Sequence, residues 1–487
     1  MLKEAIPLKN PELLREAALI GDRWVDATSG EVLEVTNPAT GAVIGTVPKL
    51  APEQVEEAIA AAAEAQVAWA ALTAKERAAR LRRWYELMIE NADDLALLMT
   101  TEQGKPLAEA KGEVVYAASF VEWFAEEAKR IYGETIPAPK ADQRILVLRQ
   151  PIGVVGAITP WNFPCAMLTR KGAPAMAAGC TVVAKPAEDT PFSALALGVL
   201  ALKAGIPAGV LNIVTGDPEV VSRPILKSET VRMISFTGST DVGRLLMRES
   251  ADTVKKVHLE LGGNAAFIVF DDADLDAAIE GVMASKYRNT GQTCVCANRI
   301  FVQEGIYEDF ARAFVERVKK MKVGRGTEEG VTQGPLINEQ ALEKVKRHVA
   351  DAIEKGAHVL LGGHPHALGG NFFEPTVIAD ATPDMLCFHE ETFGPVAPLF
   401  RFRDEAEALE LANATPYGLA SYFYTREVGR VFRMAEGLET GIVGVNSGII
   451  STEVAPFGGV KQSGLGREGG HEGIMEFVET KYVCLTL

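Results

Sequence analysis

Three short segments of the chain hold side chains suited to nucleophilic catalysis. The first is Gly291-Gln292-Thr293-Cys294-Val295-Cys296. A helix is expected to end near Arg288, and a Gly-Gln-Thr loop exposes the side chain that follows it. A cysteine so placed presents a thiolate to a cleft. The second is Leu259-Glu260-Leu261-Gly262-Gly263-Asn264. Lys256 to Leu259 reads as a strand. Glu260 then stands at its carboxyl end, where open α/β sheets bind ligands. A carboxylate there, before backbone free to bend, suits a general base. The third is Thr159-Pro160-Trp161-Asn162-Phe163-Pro164. Two prolines fix the backbone around the Asn162 amide, a good donor to an oxyanion. Each segment also has an ordinary reading: a cysteine packed as a small apolar residue, a solvated glutamate, an asparagine in a turn.

The elements that must position these groups show in the rhythm of the chain. Residues 53–100 read as helices rich in Ala, Glu and Leu, with spans from Val55 to Trp69 and from Ala74 to Met99; another runs from Ala108 to Arg130. Tyr132 to Gln150, with its alternating Arg144-Ile-Leu-Val-Leu148, reads as an extended arm or hairpin. From Pro151 strands alternate with helices. The strands are Val154 to Ile158, Thr181 to Ala184, Val210 to Val214 and Met233 to Phe236. The helices run up to Met176, from Pro191 to Ala204, and after Pro218 and Ser239. That alternation predicts a parallel sheet covered on both faces. A second α/β pattern starts at Ala265. Its strands are Ala266 to Phe270, Arg299 to Val302 and His358 to Leu361; its helices are Leu275 to Tyr287, Tyr307 to Lys320 and Glu339 to Lys355.

Bulk properties exclude several classes. A chain of 487 residues buries a large core and fits two or three domains. Its net charge of -16 speaks against nucleic acid or anionic lipid as partner. Six cysteines are too few for a disulfide framework, so a reducing compartment is expected. No apolar run is long enough for a membrane span, and Met1 to Pro11 has neither a secretory nor a transit pattern. The expected location is the cytoplasm, or the mitochondrial matrix for a mature imported chain. No metal site is expected: the seven histidines do not cluster at ligand spacing.

Taken in order, the motifs are specific. Trp161-Asn-Phe-Pro164, Lys185-Pro-Ala-Glu188, Phe236-Thr-Gly-Ser-Thr240, Glu260-Leu-Gly-Gly263, Gly291-Gln-Thr-Cys294 and Glu391-Thr-Phe393-Gly-Pro395 resemble the aldehyde dehydrogenase superfamily across essentially the whole chain. The closer resemblance is to succinate-semialdehyde dehydrogenases. It is carried by Lys185 to Phe192, Arg288 to Cys296, Thr332 to Asn338 and Pro456 to Glu468. It implies two doubly wound α/β domains and a small β arm. Residues 1–131 and 151–262 would form a Rossmann-type NAD(P)-binding domain, and 263–460 the catalytic domain. Residues 132–150 and 461–487 would form the oligomerisation arm and tail of a homodimer or homotetramer.

By the same resemblance Cys294 is the nucleophile, Glu260 the base that activates water, Asn162 the oxyanion donor and Glu468 a proton relay. For the cofactor, Gly238, Ser239 and Gly243 belong to a loop that opens a helix toward a pyrophosphate, although no Gly-x-Gly-x-x-Gly fingerprint is present. Trp161 lies beside that path, Lys185 and Glu188 meet the adenosine ribose, and Glu391 and Phe393 the nicotinamide ribose. A carboxylate at Glu188 accepts ribose hydroxyls and repels a 2′-phosphate, which favours NAD over NADP. Arg170, Arg288 and Ser451 match positions that grip a substrate carboxylate, a task suited to guanidinium groups. For each arginine an ordinary ion pair is the alternative. Cys296 stands where a Cys-x-Cys disulfide with Cys294 would block catalysis. The rival readings are a dehydrogenase of the same superfamily for glutarate semialdehyde or for a phosphorylated or neutral aldehyde, a catalytically silent structural or binding member, and a thiol-redox protein.

Overall fold

The computed structural model describes residues 3–487. The strand-helix alternation after Pro151 builds one eight-stranded sheet. Its order is Arg23–Val25, Ala18–Ile20, Leu211–Ile213, Thr181–Lys185, Val154–Ile158, Val231–Thr237, Lys256–Glu260 and Gly464–Leu465. The five strands from Leu211–Ile213 to Lys256–Glu260 are parallel, and both flanks are antiparallel. Val154–Ile158 and Thr181–Lys185 are buried along their whole length, as central strands covered on two faces must be. The helix Pro164–Ala178 is buried at every residue, because Leu107–Glu127 covers the side turned away from the sheet.

The second sheet has seven strands, in the order His358–Leu361, Thr376–Ala379, Val396–Phe402, Arg299–Gln303, Ala266–Val269, Ala420–Tyr424 and Ile442–Val445. Only His358–Leu361 runs antiparallel to its neighbour. A third, three-stranded sheet joins Glu134–Ile136, Gln143–Pro151 and Val478–Thr486. Both of its faces carry exposed apolar side chains, Leu146, Leu148 and Leu485 on one and Ile136 and Tyr482 on the other.

Three details differ from the sequence reading. The helix expected over Ala74 to Met99 is two helices, Ala74–Glu90 and Ala92–Gln103. They part at Asn91, whose side-chain amide donates to the Leu87 carbonyl at 2.8 Å and so competes with helix continuation. The N-terminal part adds two strands to the first sheet and a separate hairpin, Val32–Thr36 with Val43–Pro48. The stretch 461–487 divides: Gly464–Leu465 joins the first sheet, Gly470–Met475 packs on Pro164–Ala178, and only Val478–Thr486 enters the arm.

Candidate active site

Cys294 is delivered by a forced piece of backbone. After the helix Leu275–Lys286, residues Asn289, Thr290 and Gly291 have φ of 51°, 60° and 76°. Left-handed backbone at a non-glycine residue costs about 1–2 kcal/mol, so these residues must be held. The Asn289 N–H donates to Glu109 at 2.7 Å, and its Nδ2 donates to the Asn162 carbonyl at 3.0 Å. The Thr290 hydroxyl donates to Gly334 O at 3.2 Å. A Cβ on Gly291 would lie 2.2 Å from Gly394 O, so only glycine fits there. The Gln292 amide fastens the far side, accepting from Ile337 N at 2.9 Å. Cys294 then reaches a cleft partly exposed. Burial pushes its thiol up to about 12, against the pull of Arg170.

Glu260 ends its strand with both carboxylate oxygens buried and without a hydrogen-bond partner. His258 Nε2 lies 3.7 Å away. Burial raises the Glu260 carboxyl, and the negative charge of Glu468 adds to this, while His258 and Arg170 pull it down. The second of the two glycines that follow has a packing reason. A Cβ on Gly263 would stand 2.6 Å from the Cys294 carbonyl oxygen, so the nucleophile loop and the base strand touch through backbone. Asn162 is buried, with Nδ2 donating to Gln292 O at 3.1 Å and Oδ1 unpartnered. One amide hydrogen meets Gln292 and the other is uncommitted.

Trp161, Asn162, Thr237, Gly238, Ser239, Cys294, Glu391 and Phe393 share one cleft of about 440 Å³. Ser239 caps the helix Thr240–Ser250, accepting from Val242 N at 3.4 Å. Gly243 lies inside that helix, where a Cβ would meet Leu261 at 2.4 Å. Trp161 and Phe393 pack edge to face at 5.5 Å. Glu391 is fixed by Gly263 N at 3.2 Å, and burial raises its carboxyl to about 7. The buried Thr237 hydroxyl in the cleft wall has no partner. A helix N-terminus, an unpartnered hydroxyl and an accepting carboxylate along one apolar-walled cleft form a set of donors and acceptors that fits a dinucleotide. Lys185 and Glu188 lie outside this lining and pair with each other at 2.9 Å.

On the substrate side, Arg288 Nη1 lies 3.5 Å from the Ser451 hydroxyl, and the two line a small recess with Thr293 and Tyr422. Arg170 does not join them. It pairs with Glu468 and packs over Phe457 at 4.1 Å. Glu468 is also held by Lys171; burial opposes its charge, yet the two cations bring it down to about 2. Cys296 faces away from the cleft and donates to Lys286 O at 3.1 Å. Among the described residues no group of three His, Cys, Asp or Glu could hold a metal ion.

Sequence reasoning missed Lys171, His258 and Tyr116. Lys171 had a local signal, its place one residue after Arg170. Tyr116 had none: its hydroxyl is buried without a partner, within reach of the charges of both Arg170 and Arg288.

The profile of the family described as "Aldehyde dehydrogenase family" matches residues 24–483. The chain is 62% identical over 480 residues to a glutarate-semialdehyde dehydrogenase of Pseudomonas putida, covering 99% of this chain and 100% of the relative. It is 60% identical over 480 residues to a succinate-semialdehyde dehydrogenase [NADP(+)] of Escherichia coli, with coverage of 99% and 100%. Among solved structures, a succinate-semialdehyde dehydrogenase from Burkholderia pseudomallei superposes with a TM-score of 0.98 at 61% identity, covering 99% of this chain and 100% of that one.

Proposed function

The chain belongs to the aldehyde dehydrogenase family, and we propose that it oxidises the semialdehyde of a short dicarboxylic acid, succinate semialdehyde foremost, to the diacid. The observation that carries the substrate assignment is the meeting of Arg288 and Ser451 in one recess beside the nucleophile loop. A guanidinium and a hydroxyl together suit a carboxylate. A neutral or cationic aldehyde has no use for that pair.

In this reading Cys294 attacks the aldehyde carbon. Burial disfavours its thiolate, so in this reading Glu260 takes the thiol proton as the carbon–sulfur bond forms and gives it up before the hydrolytic step. The free amide hydrogen of Asn162 meets the oxyanion of the thiohemiacetal. NAD or NADP, when bound, supplies the hydride acceptor. Ser239 and the helix N-terminus behind it would hold the pyrophosphate, and Glu391 the nicotinamide ribose. Glu260 then takes a proton from the water that hydrolyses the thioester. Its raised carboxyl moves it toward the working range of a general base.

NAD is the preferred cofactor in this proposal. Glu188 places a carboxylate beside Lys185 and offsets a cation that would attract a 2′-phosphate. The exposed apolar side chains on the arm support a homo-oligomer, dimer or tetramer. All six cysteines are free, which suits the cytoplasm.

A second reading takes glutarate semialdehyde as the main substrate, favoured by the Pseudomonas relative. NADH absorbance with succinate semialdehyde, glutarate semialdehyde and propanal, each with NAD and NADP, separates the two. Arg288→Ala should raise KM for succinate semialdehyde about 10- to 100-fold, the worth of one charge-assisted hydrogen bond, and change propanal little. Equal losses on both substrates would overturn the carboxylate role.

A further inference from the structure

Lys105 and Glu113 are a buried ion pair. Each side chain is 1% exposed, and Lys105 Nζ lies 2.5 Å from Glu113 Oε2. Burying two charges costs several kcal/mol apiece, and apolar residues of similar volume generally fill such a space at lower cost. What the pair touches is therefore informative.

Beyond each other, the two charged groups hydrogen-bond the backbone that carries Asn162. Lys105 Nζ donates to the Asn162 carbonyl at 2.6 Å. Glu113 Oε1 accepts from Cys165 N at 3.0 Å and Ala166 N at 3.3 Å, the first turn of the helix that follows. The ammonium also lies 4.0 Å from the centre of the Phe163 ring. The Arg288 guanidinium rests on that same ring at 4.8 Å. The segment 162–166 is thus gripped through one carbonyl, two N–H groups and one aromatic face. Asn289 Nδ2 adds a second donor to the Asn162 carbonyl at 3.0 Å, which ties the grip to the nucleophile loop.

We propose that Lys105, set by Glu113, is a positioning residue that holds the Asn162 amide where the oxyanion forms. An amide that drifts from that position weakens a directional hydrogen bond, and with it the transition-state stabilisation it supplies. Nothing in the pair contacts the cleft itself, so its action passes through Asn162. The inference rests on the reading of Asn162 as oxyanion donor.

The test is a double-mutant cycle on the full chain with NAD, using propanal so that the carboxylate recess plays no part. Lys105→Met should lower kcat on the order of 10- to 100-fold. NADH affinity, read by quenching of protein fluorescence, should stay within about twofold. In the Asn162→Ala background the same Lys105→Met change should alter kcat by less than about twofold. If Lys105→Met costs the same factor in both backgrounds, or nothing in the parent, the positioning role is overturned while the oxyanion reading stands. If Asn162→Ala alone keeps full kcat, the oxyanion reading falls first. Should Lys105→Met fail to fold, Glu113→Gln enters the same cycle with the same expected non-additivity, and additive losses overturn the role there too.

Discussion

Arg170 Nε lies 2.6 Å from Glu468 Oε2, so a group expected to grip substrate is engaged by the group expected to relay protons. Lys171 holds the other carboxylate oxygen at 2.5 Å. With both cations in place Glu468 sits at about 2 and binds protons poorly near neutrality. Drawing Arg170 toward a substrate carboxylate would remove one of those cations and make Glu468 more basic.

The stability of this triad is open to measurement. Removing one partner of a buried pair costs about 3–5 kcal/mol. Glu468→Gln strands two cations and should lower the unfolding midpoint more than Arg170→Met, which leaves Glu468 paired with Lys171. The double variant should lose less than the sum of the two. Strict additivity would mean the contact is not energetically coupled.

His348 gives a pH-dependent prediction. It is buried between Thr392 and Glu390, bonded to each at 3.1 Å, on either side of Glu391. Burial lowers its imidazole from 6.5 to about 4, against the pull of Glu390. The unfolded chain therefore binds a proton below about 6.5 that the folded chain refuses until about 4. Folding stability should fall as pH drops through that window, by on the order of 3 kcal/mol when complete. His348→Gln should flatten the midpoint-against-pH curve there; an unchanged slope would assign the loss to other groups.

Cys296 yields a redox prediction. Peroxide should inactivate the enzyme by joining Cys294 and Cys296 as a disulfide, with two waters released, and dithiothreitol should restore it. The Cys296 bond to Lys286 O must break first, so the reaction should be slow. Cys296→Ser should still be inactivated, through over-oxidation of Cys294, but should not recover. Equal recovery of both proteins would show that Cys296 plays no part.

What the sequence made legible was local. Glu260 at a strand end, the Gly-Gln-Thr loop before Cys294 and the helix opened by Ser239 are all patterns within a few residues; Cys294 and Ser239 line one cleft, and Glu260 is buried next to its wall residues Leu261 and Gly262. What it hid was long-range. Lys105 meets Asn162 across 57 positions, and Lys171 meets Glu468 across 297. No spacing rule reaches that far, so Arg170 read as a substrate ligand without its partner in view. The second sheet was only half visible for a similar reason. Its strand Val396–Phe402 contains Pro398, which argues against an interior strand, and Ile442–Val445 is interrupted by Gly444.

The three-stranded arm has a consequence for biosynthesis. Its middle strand, Gln143–Pro151, is made early, and its outer partner Val478–Thr486 emerges hundreds of residues later. Until then the arm is a two-stranded ribbon, which is marginal in water. Gly464–Leu465, which closes one edge of the first sheet beside Glu260, arrives just as late. A growing chain can therefore already contain Cys294, Glu260 and Asn162 and still lack both the strand that pairs with Glu260 and the outer strand of the arm. The order of translation therefore completes the arm only after the strands of both large sheets have been made.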